Sequence, residues 1–336
     1  MATIKDVARA AKVSTATVSH VLNGTRFVSE GLRERVLKAI AELDYRPSQV
    51  AASLRTKRSN SILLIIPDIA NPFFPPLVRG VQDVFDRARY AIIVGNTDRR
   101  RSRELEFLNL ALRAQADGVI IVASEIEEAD LLPLAEQGIP AVLIGTHIDH
   151  PDLDVVRVDN RAAAYDAVRH LIGLGHRRTA MAFGPMSASS LQQRLQGYRQ
   201  AMADAGLEVN ADWIVEEPSH EAADYQGIRQ LMARADRPTA IFAAADVVAL
   251  DVLVLLRELG LRVPEDVSVV GFDDIPATRL TTPPLTTIHQ PKYQMGQRAA
   301  ELLLRRMTQD EEVPRERAIM AHRLIVRGST APPPTL

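Results

Sequence analysis

From Ser61 onward, short continuous apolar runs alternate with amphipathic helical stretches, and this constrains the fold more than any other feature of the 336 residues. The runs fall at 62–66, 91–94, 118–122, 141–144 and 155–158, with helical patterns near 77–89, 103–114 and 129–136 between the first four. A second series follows, with runs at 179–183, 214–216, 240–243 and 268–272 and helical patterns near 162–174, 191–205, 222–233 and 247–259. A strand that is apolar without alternation must be buried on both faces, as in a parallel sheet covered by helices. Two such series predict two doubly wound α/β lobes. The remaining tail reads as a strand at 285–288, a helix at 293–307 and a last strand at 317–325. One β-α-β unit left over after two lobes implies that the chain crosses back to the first lobe and returns. Several crossovers make a hinge, and a cleft that a hinge can close is a small-molecule site.

The first 60 residues read differently. Segments 4–11 and 15–22 are short and amphipathic, joined by Lys12, Val13 and Ser14, and each is preceded by a hydroxyl residue able to cap it. Thr3 with Asp6 three residues on resembles a capping box with Asp in place of Glu. Ile4, Val7, Ala8, Ala11, Val18, Val21 and Leu22 face one small core, and Leu32, Val36, Leu37, Ile40 and Leu43 of a third helical pattern close it. Thr15, Ala16, Ser19 and His20 are left on the opposite face, small or hydrogen-bonding residues suited to a major groove. A plain helical bundle would show the same periodicity; charge separates the two readings. Residues 1–58 hold eleven Lys and Arg against five Asp and Glu, whereas the whole chain carries −2. A basic head on an acidic body is the electrostatic footprint of a part that meets phosphate.

These residues carry a resemblance. The stretch 2–30, followed by YRPSQVAASLR, is similar to the DNA-binding head and hinge of the lactose-repressor (LacI/GalR) family, nearest its purine and ribose repressors. The similarity continues through DIANPFF near 70, LGHRR near 176, RPTAIFAAAD near 240, RVPEDVSVVGFDD near 270 and PPLTTIHQPK near 288. It implies an all-α helix-turn-helix head plus an α/β two-lobed body of doubly wound parallel sheets, periplasmic-binding-protein-like. The expected division is a head at 1–46, a hinge helix and linker at 47–60, a first lobe at 61–158 plus 289–318, and a second at 159–288 plus 319–336. It implies a transcriptional repressor that binds a near-palindromic operator as a homodimer under control of a small-molecule effector. Thr15, Ala16 and His20 would meet base edges with Arg26 close by, while Thr3, Ser14, Thr17, Ser19, Asn23 and Tyr45 would hold phosphates. Ser48 to Thr56 would be the coupling helix, too short to be stable alone. Its Val50, Ala51 and Leu54 would pair with a second copy, and Leu54, with Arg55 beside it, would wedge into the minor groove; Ser48 would cap it.

Ligands in open parallel sheets gather outside the carboxyl ends of the strands. That rule selects Asp68, Asn71, Phe73 and Phe74, then Ser189, Ser190 and Arg194, then Asp246 and Asp273. The resemblance puts Phe73, Phe74, Arg194, Asp246 and Asp273 where relatives hold effectors. Either Phe could equally be core, and Asp246 could simply cap the next helix. Purine-binding relatives have an aromatic near Ser219 and an Arg near Ala188, so a pentose or related small sugar is the expected effector, with a purine corepressor the alternative.

Other chemistry finds little footing. The chain has no cysteine, no GxxxxGK[ST], no GxGxxG and no GxSxG. No cofactor and no enzymatic activity are expected. His147, Asp149, His150 and Asp152 read as a polar loop rather than a metal cluster, and Arg99, Arg100, Arg101 and Arg103 as a solvated helix start. With no signal segment and no membrane-spanning run, a soluble cytoplasmic, nucleoid-associated bacterial protein is expected. A sugar-binding transport protein would share the body but not the head.

Overall fold

The computed structural model describes residues 2–24, 26–45, 59–114, 116–122, 126–145, 148, 153–184, 189–216, 225–308 and 314–334, in two compact units, Met1–Ser59 and Asn60–Leu336. The first holds α1 (Ile4–Ala11), α2 (Thr15–Asn23) and α3 (Glu30–Glu42). Val7, Ala8, Ala11, Val18, Val36 and Ala39 form its core, with Ile4, Val21, Leu22, Ile40 and Tyr45 packed around them. The Asp6 carboxylate accepts from both the backbone N–H and the hydroxyl of Thr3, at 3.0 and 2.7 Å. The Ser14 hydroxyl caps α2 by accepting from the Thr17 N–H at 3.1 Å. Arg35 on α3 donates to the carbonyls of Ala11 and Lys12, satisfying the open end of α1. The apolar stripe of α3 is narrower than expected: Leu37 and Leu43 are 48% and 37% exposed. At 100° per residue Leu37 turns away from Val36, and Ala39 takes the core position instead.

The second unit contains two six-stranded sheets. The first sheet is built from β1 (Ser61–Ile66), β2 (Ala91–Asn96), β3 (Gly118–Val122), β4 (Ala141–Ile144) and β5 (Asp154–Val158), with α4 (Phe74–Ala88), α5 (Arg101–Ala114) and α6 (Leu132–Glu136) between them. The chain then crosses into α7 (Asn160–Gly173), β6 (Thr179–Phe183), α8 (Ser189–Asp204), β7 (Ile214–Glu216), α9 (Gln226–Met232), β8 (Ala240–Ala243), α10 (Asp246–Glu258), β9 (Ser268–Asp273) and β10 (Thr286–His289). Helix α11 (Lys292–Thr308) returns to the first lobe, where Met295, Ala299, Ala300, Leu302 and Leu303 join the core of Ile62, Leu64 and Ile66. Along β1 the side chains alternate: Ile62, Leu64 and Ile66 face α4 and α11, and Leu63 and Ile65 face a second core with Leu108 and Leu134. Both faces are covered, which is why the run carries no polar alternation.

The expected final strand is two. β11 (Arg317–Met320) pairs in parallel with β5 on the first sheet, and β12 (Arg323–Ile325) pairs antiparallel with β10 on the second. Residues 319 and 320 therefore lie on a first-sheet strand, and His289 on a second-sheet one. The intervening Ala321 and His322 carry the last crossover, too short a break to register in the hydrophobic pattern. No helix among the described residues is long and apolar enough to cross a membrane.

Candidate functional site: a DNA-reading face and an effector cleft

On the first unit, Thr15 and Ala16 are exposed and Thr17, Ser19 and His20 half-buried on α2. Arg26 and Phe27 follow it, with Phe27 95% exposed. Ser14 and Thr17 hydroxyls lie 2.9 Å apart, and Tyr45 packs against the core beneath. Asn23 ends the helix. The hinge residues Ser48, Ala51, Leu54 and Arg55 lie outside the described residues, as do Ala188, Ser219 and the loop histidines His147 and His150.

In the second unit the structure brings Arg194, Asp246 and Asp273 into one buried cluster. Arg194 projects from the first turns of α8, 8% exposed. Its Nε donates to Asn160 Oδ1 at 2.9 Å and a terminal nitrogen donates to the Ala244 carbonyl. Its guanidinium lies 3.6 Å from the centroid of the Phe272 ring, a cation–π contact. Its other terminal nitrogen faces Asp273 Oδ1 at 3.9 Å, an ion pair too long for a hydrogen bond. Burial lowers the Arg194 pKa, which Asp273 and Asp246 oppose.

Asp273 ends β9 in left-handed backbone, φ 127°, and Asp274 follows at φ 54°. Such values are uncommon for residues with a Cβ and cluster at functional turns. Gln290 Nε2 donates to Asp273 Oδ1 at 2.7 Å. The Lys292 ammonium donates to the main-chain carbonyls of Asp273 and Asp274. Burial raises the Asp273 carboxyl, against the pull of Arg194 and Lys292. Two carboxyl groups and two cationic side chains thus share one buried site.

Asp246 behaves differently from the expected ligand contact. Its two carboxylate oxygens accept from the Thr287 hydroxyl at 2.6 Å and the Ile275 N–H at 2.9 Å. A Cβ on Gly271 would come within 2.2 Å of its Oδ1, so the strand is cut back to admit it. These bonds tie it to β10 and to the residue after the Asp273–Asp274 turn. Burial first, and Asp273 second, push its carboxyl up to about 7.

The first-lobe candidates lie after β1. The Asn71 side chain accepts from the Phe73 N–H at 2.9 Å, and Asp68 from the Ala70 N–H at 2.9 Å, so both shape the loop. Phe74 is buried in the first-lobe core, while Phe73 is half-buried and meets it edge to face. Ser189 and Ser190 are half-buried at the start of α8. Asn160, Phe272, Thr287, Gln290 and Lys292 were not anticipated. Gln290 and Lys292 lie within the PPLTTIHQPK stretch, whose match signalled a constraint without its cause.

Residues 3–48 match the family profile described as bacterial regulatory proteins, lacI family, and residues 168–330 that of a periplasmic binding protein-like domain. The chain is 37% identical over 331 residues to the HTH-type transcriptional repressor PurR of Photobacterium profundum, covering 98% of each. It is 36% identical over 312 residues to the ribose operon repressor of Haemophilus influenzae, covering 93% of this chain and 94% of that one. The lac repressor dimer bound to operator and the anti-inducer ONPF superposes with a TM-score of 0.84 at 28% identity, covering 98% and 99% of the two chains. Regulators of this kind bind operator DNA as dimers and answer to small-molecule effectors. A helix-turn-helix head, a two-lobed α/β body and relatives matched along nearly their whole length converge: the chain belongs to the lacI family of bacterial regulatory proteins and is a DNA-binding transcriptional regulator.

Proposed function

We propose that this regulator is a repressor whose operator affinity is set by an uncharged, hydroxyl-bearing effector, a pentose or related small sugar, held between Arg194, Asp273 and the Phe73 loop. The observation that carries this is the 3.9 Å gap between the Arg194 guanidinium and the Asp273 carboxylate. A hydroxyl oxygen placed in it accepts from the cation and donates to the anion, which is how paired charged groups grip a polyol. A bridging hydroxyl satisfies both groups without adding a charge to a buried site, where an unpaired charge is costly. The name of the Haemophilus influenzae relative points the same way, as does the lack of an aromatic at Ser219 and of an Arg at Ala188.

On DNA, Thr15, Ala16 and His20 read base edges beside Arg26. Thr3, Ser14, Thr17, Ser19, Asn23 and Tyr45 take phosphates. The hinge, with Ser48 as its cap and Ala51 on its pairing face, orders between two copies on a near-palindromic operator, and Leu54 with Arg55 opens the minor groove. A cytoplasmic, nucleoid-associated location follows from the DNA target.

Isothermal titration of the full-length protein with D-ribose, other sugars, hypoxanthine and guanine tests the effector class. Binding of a sugar alone is the expected result. Binding of a purine alone, in line with the Photobacterium profundum relative's name, overturns it.

A further inference from the structure

The helices α4 and α11 touch backbone to backbone. A Cβ on Gly80 would lie 2.1 Å from the Tyr293 carbonyl oxygen, and one on Gly296 2.0 Å from that of Leu77. The pair is therefore a single stiff body within the first lobe. One end of α4 is the Phe73–Phe74 corner; the first residue of α11 is Lys292, 6% exposed. Its ammonium reaches into the second lobe and bonds the carbonyls of the two left-handed residues Asp273 and Asp274. On the far side of that turn, Asp274 accepts from Arg327 and from His289 Nδ1, the latter at 2.8 Å, and Asp246 holds the Ile275 N–H.

We infer that Lys292 is the positioning residue that fixes the Asp273–Asp274 turn and joins it to the α11–α4 pair, so that Asp273 in one lobe and the Phe73 corner in the other move together. A buried ammonium is a strong anchor for two carbonyls, since charge-assisted hydrogen bonds are about twice as strong as neutral ones. Without it, two residues with side chains in left-handed backbone lose a main tether. The inference rests on reading the Arg194–Asp273 cluster as the effector site; the linkage itself is independent of which effector binds.

The test is hydrogen exchange on the ligand-free, full-length protein carrying Lys292→Met or Lys292→Arg. In Lys292→Met the amides of Asp274 and Ile275 and those of Phe74 and Leu77 exchange at least ten-fold faster, both pairs together, and Lys292→Arg restores them toward wild type. Wild-type exchange at either segment in Lys292→Met overturns the inference, because a merely local role moves only the turn. Should Lys292→Met fail to fold, Lys292→Gln, which removes the charge but keeps an amide NH2 group, is read at the same two segments by the same criterion. With D-ribose added, the operator response of Lys292→Met falls to within two-fold of its ligand-free value. A wild type that ignores sugars sinks the effector reading, while the ligand-free exchange still decides the role of Lys292.

Discussion

The reading face of the head and the Arg194–Asp273 cluster of the body are built on opposite plans. On the head, the polar groups that face outward bond to neighbours three residues away, Thr3 with Asp6 and Ser14 with Thr17. In the cluster, the polar groups are buried and bonded across the sequence: Arg194 to Asn160 and Ala244, Asp246 to Thr287, Lys292 to Asp273. The difference teaches where function and stability can be separated. A side chain on the reading face can change without disturbing the core under it. One in the buried cluster holds both the proposed ligand site and the fold, because an unpartnered buried charge is far costlier than an unpartnered exposed one.

The sharpest way to break this contrast is Arg194→Ala. It leaves the buried Asp273 carboxylate with Gln290 but without its facing cation, and should abolish the effector response and destabilise the body by about 3–5 kcal/mol, read by denaturant unfolding. A variant with wild-type stability would mean that the cluster is not the structural keystone described. Next comes His20→Ala, expected to weaken operator binding by about 1–3 kcal/mol with unfolding of the head unchanged. Equal losses in binding and stability would place His20 in the core instead. Ser14→Ala removes a cap and should cost about 1 kcal/mol of head stability, seen by calorimetry, with a smaller loss on DNA.

The cluster also sets a pH slope. The Asp246 carboxyl rises from 3.8 to about 7 on folding. The folded body therefore keeps a proton that the unfolded chain has released, and its stability falls as pH rises from roughly 4 to 7. Asp246→Asn should flatten that part of the stability profile relative to wild type. An unchanged slope would assign it to other groups.

The same contrast governs what could be read from the sequence. Helical periodicity placed Val7, Ala11 and Val18 in the head core because the rule is local. It put Leu37 there too, and failed, because one turn of helix offers more apolar residues than a six-residue core can cover. The strand-end rule found Arg194 and Asp273. It could not show that Asp246 spends its oxygens on Thr287 and Ile275, since both partners lie about thirty to forty residues away in sequence. Lys292 was invisible for the same reason: its role comes from a crossover that brings the start of α11 under the end of β9. The split of the last strand into β11 and β12 escaped notice because a two-residue break changes the sheet without changing the hydrophobic pattern.

The most direct test of the central claim, that a sugar in the cleft sets operator affinity, is fluorescence anisotropy. It would follow full-length protein binding a labelled near-palindromic operator with a central CpG at fixed salt, with and without sugars and purines, in wild type and Asp273→Ala. The account predicts that a sugar shifts wild-type operator affinity, that Asp273→Ala, less stable but folded at the assay temperature, still binds the operator, and that the shift is absent in Asp273→Ala. A shift produced only by a purine, or one that survives Asp273→Ala, would contradict it.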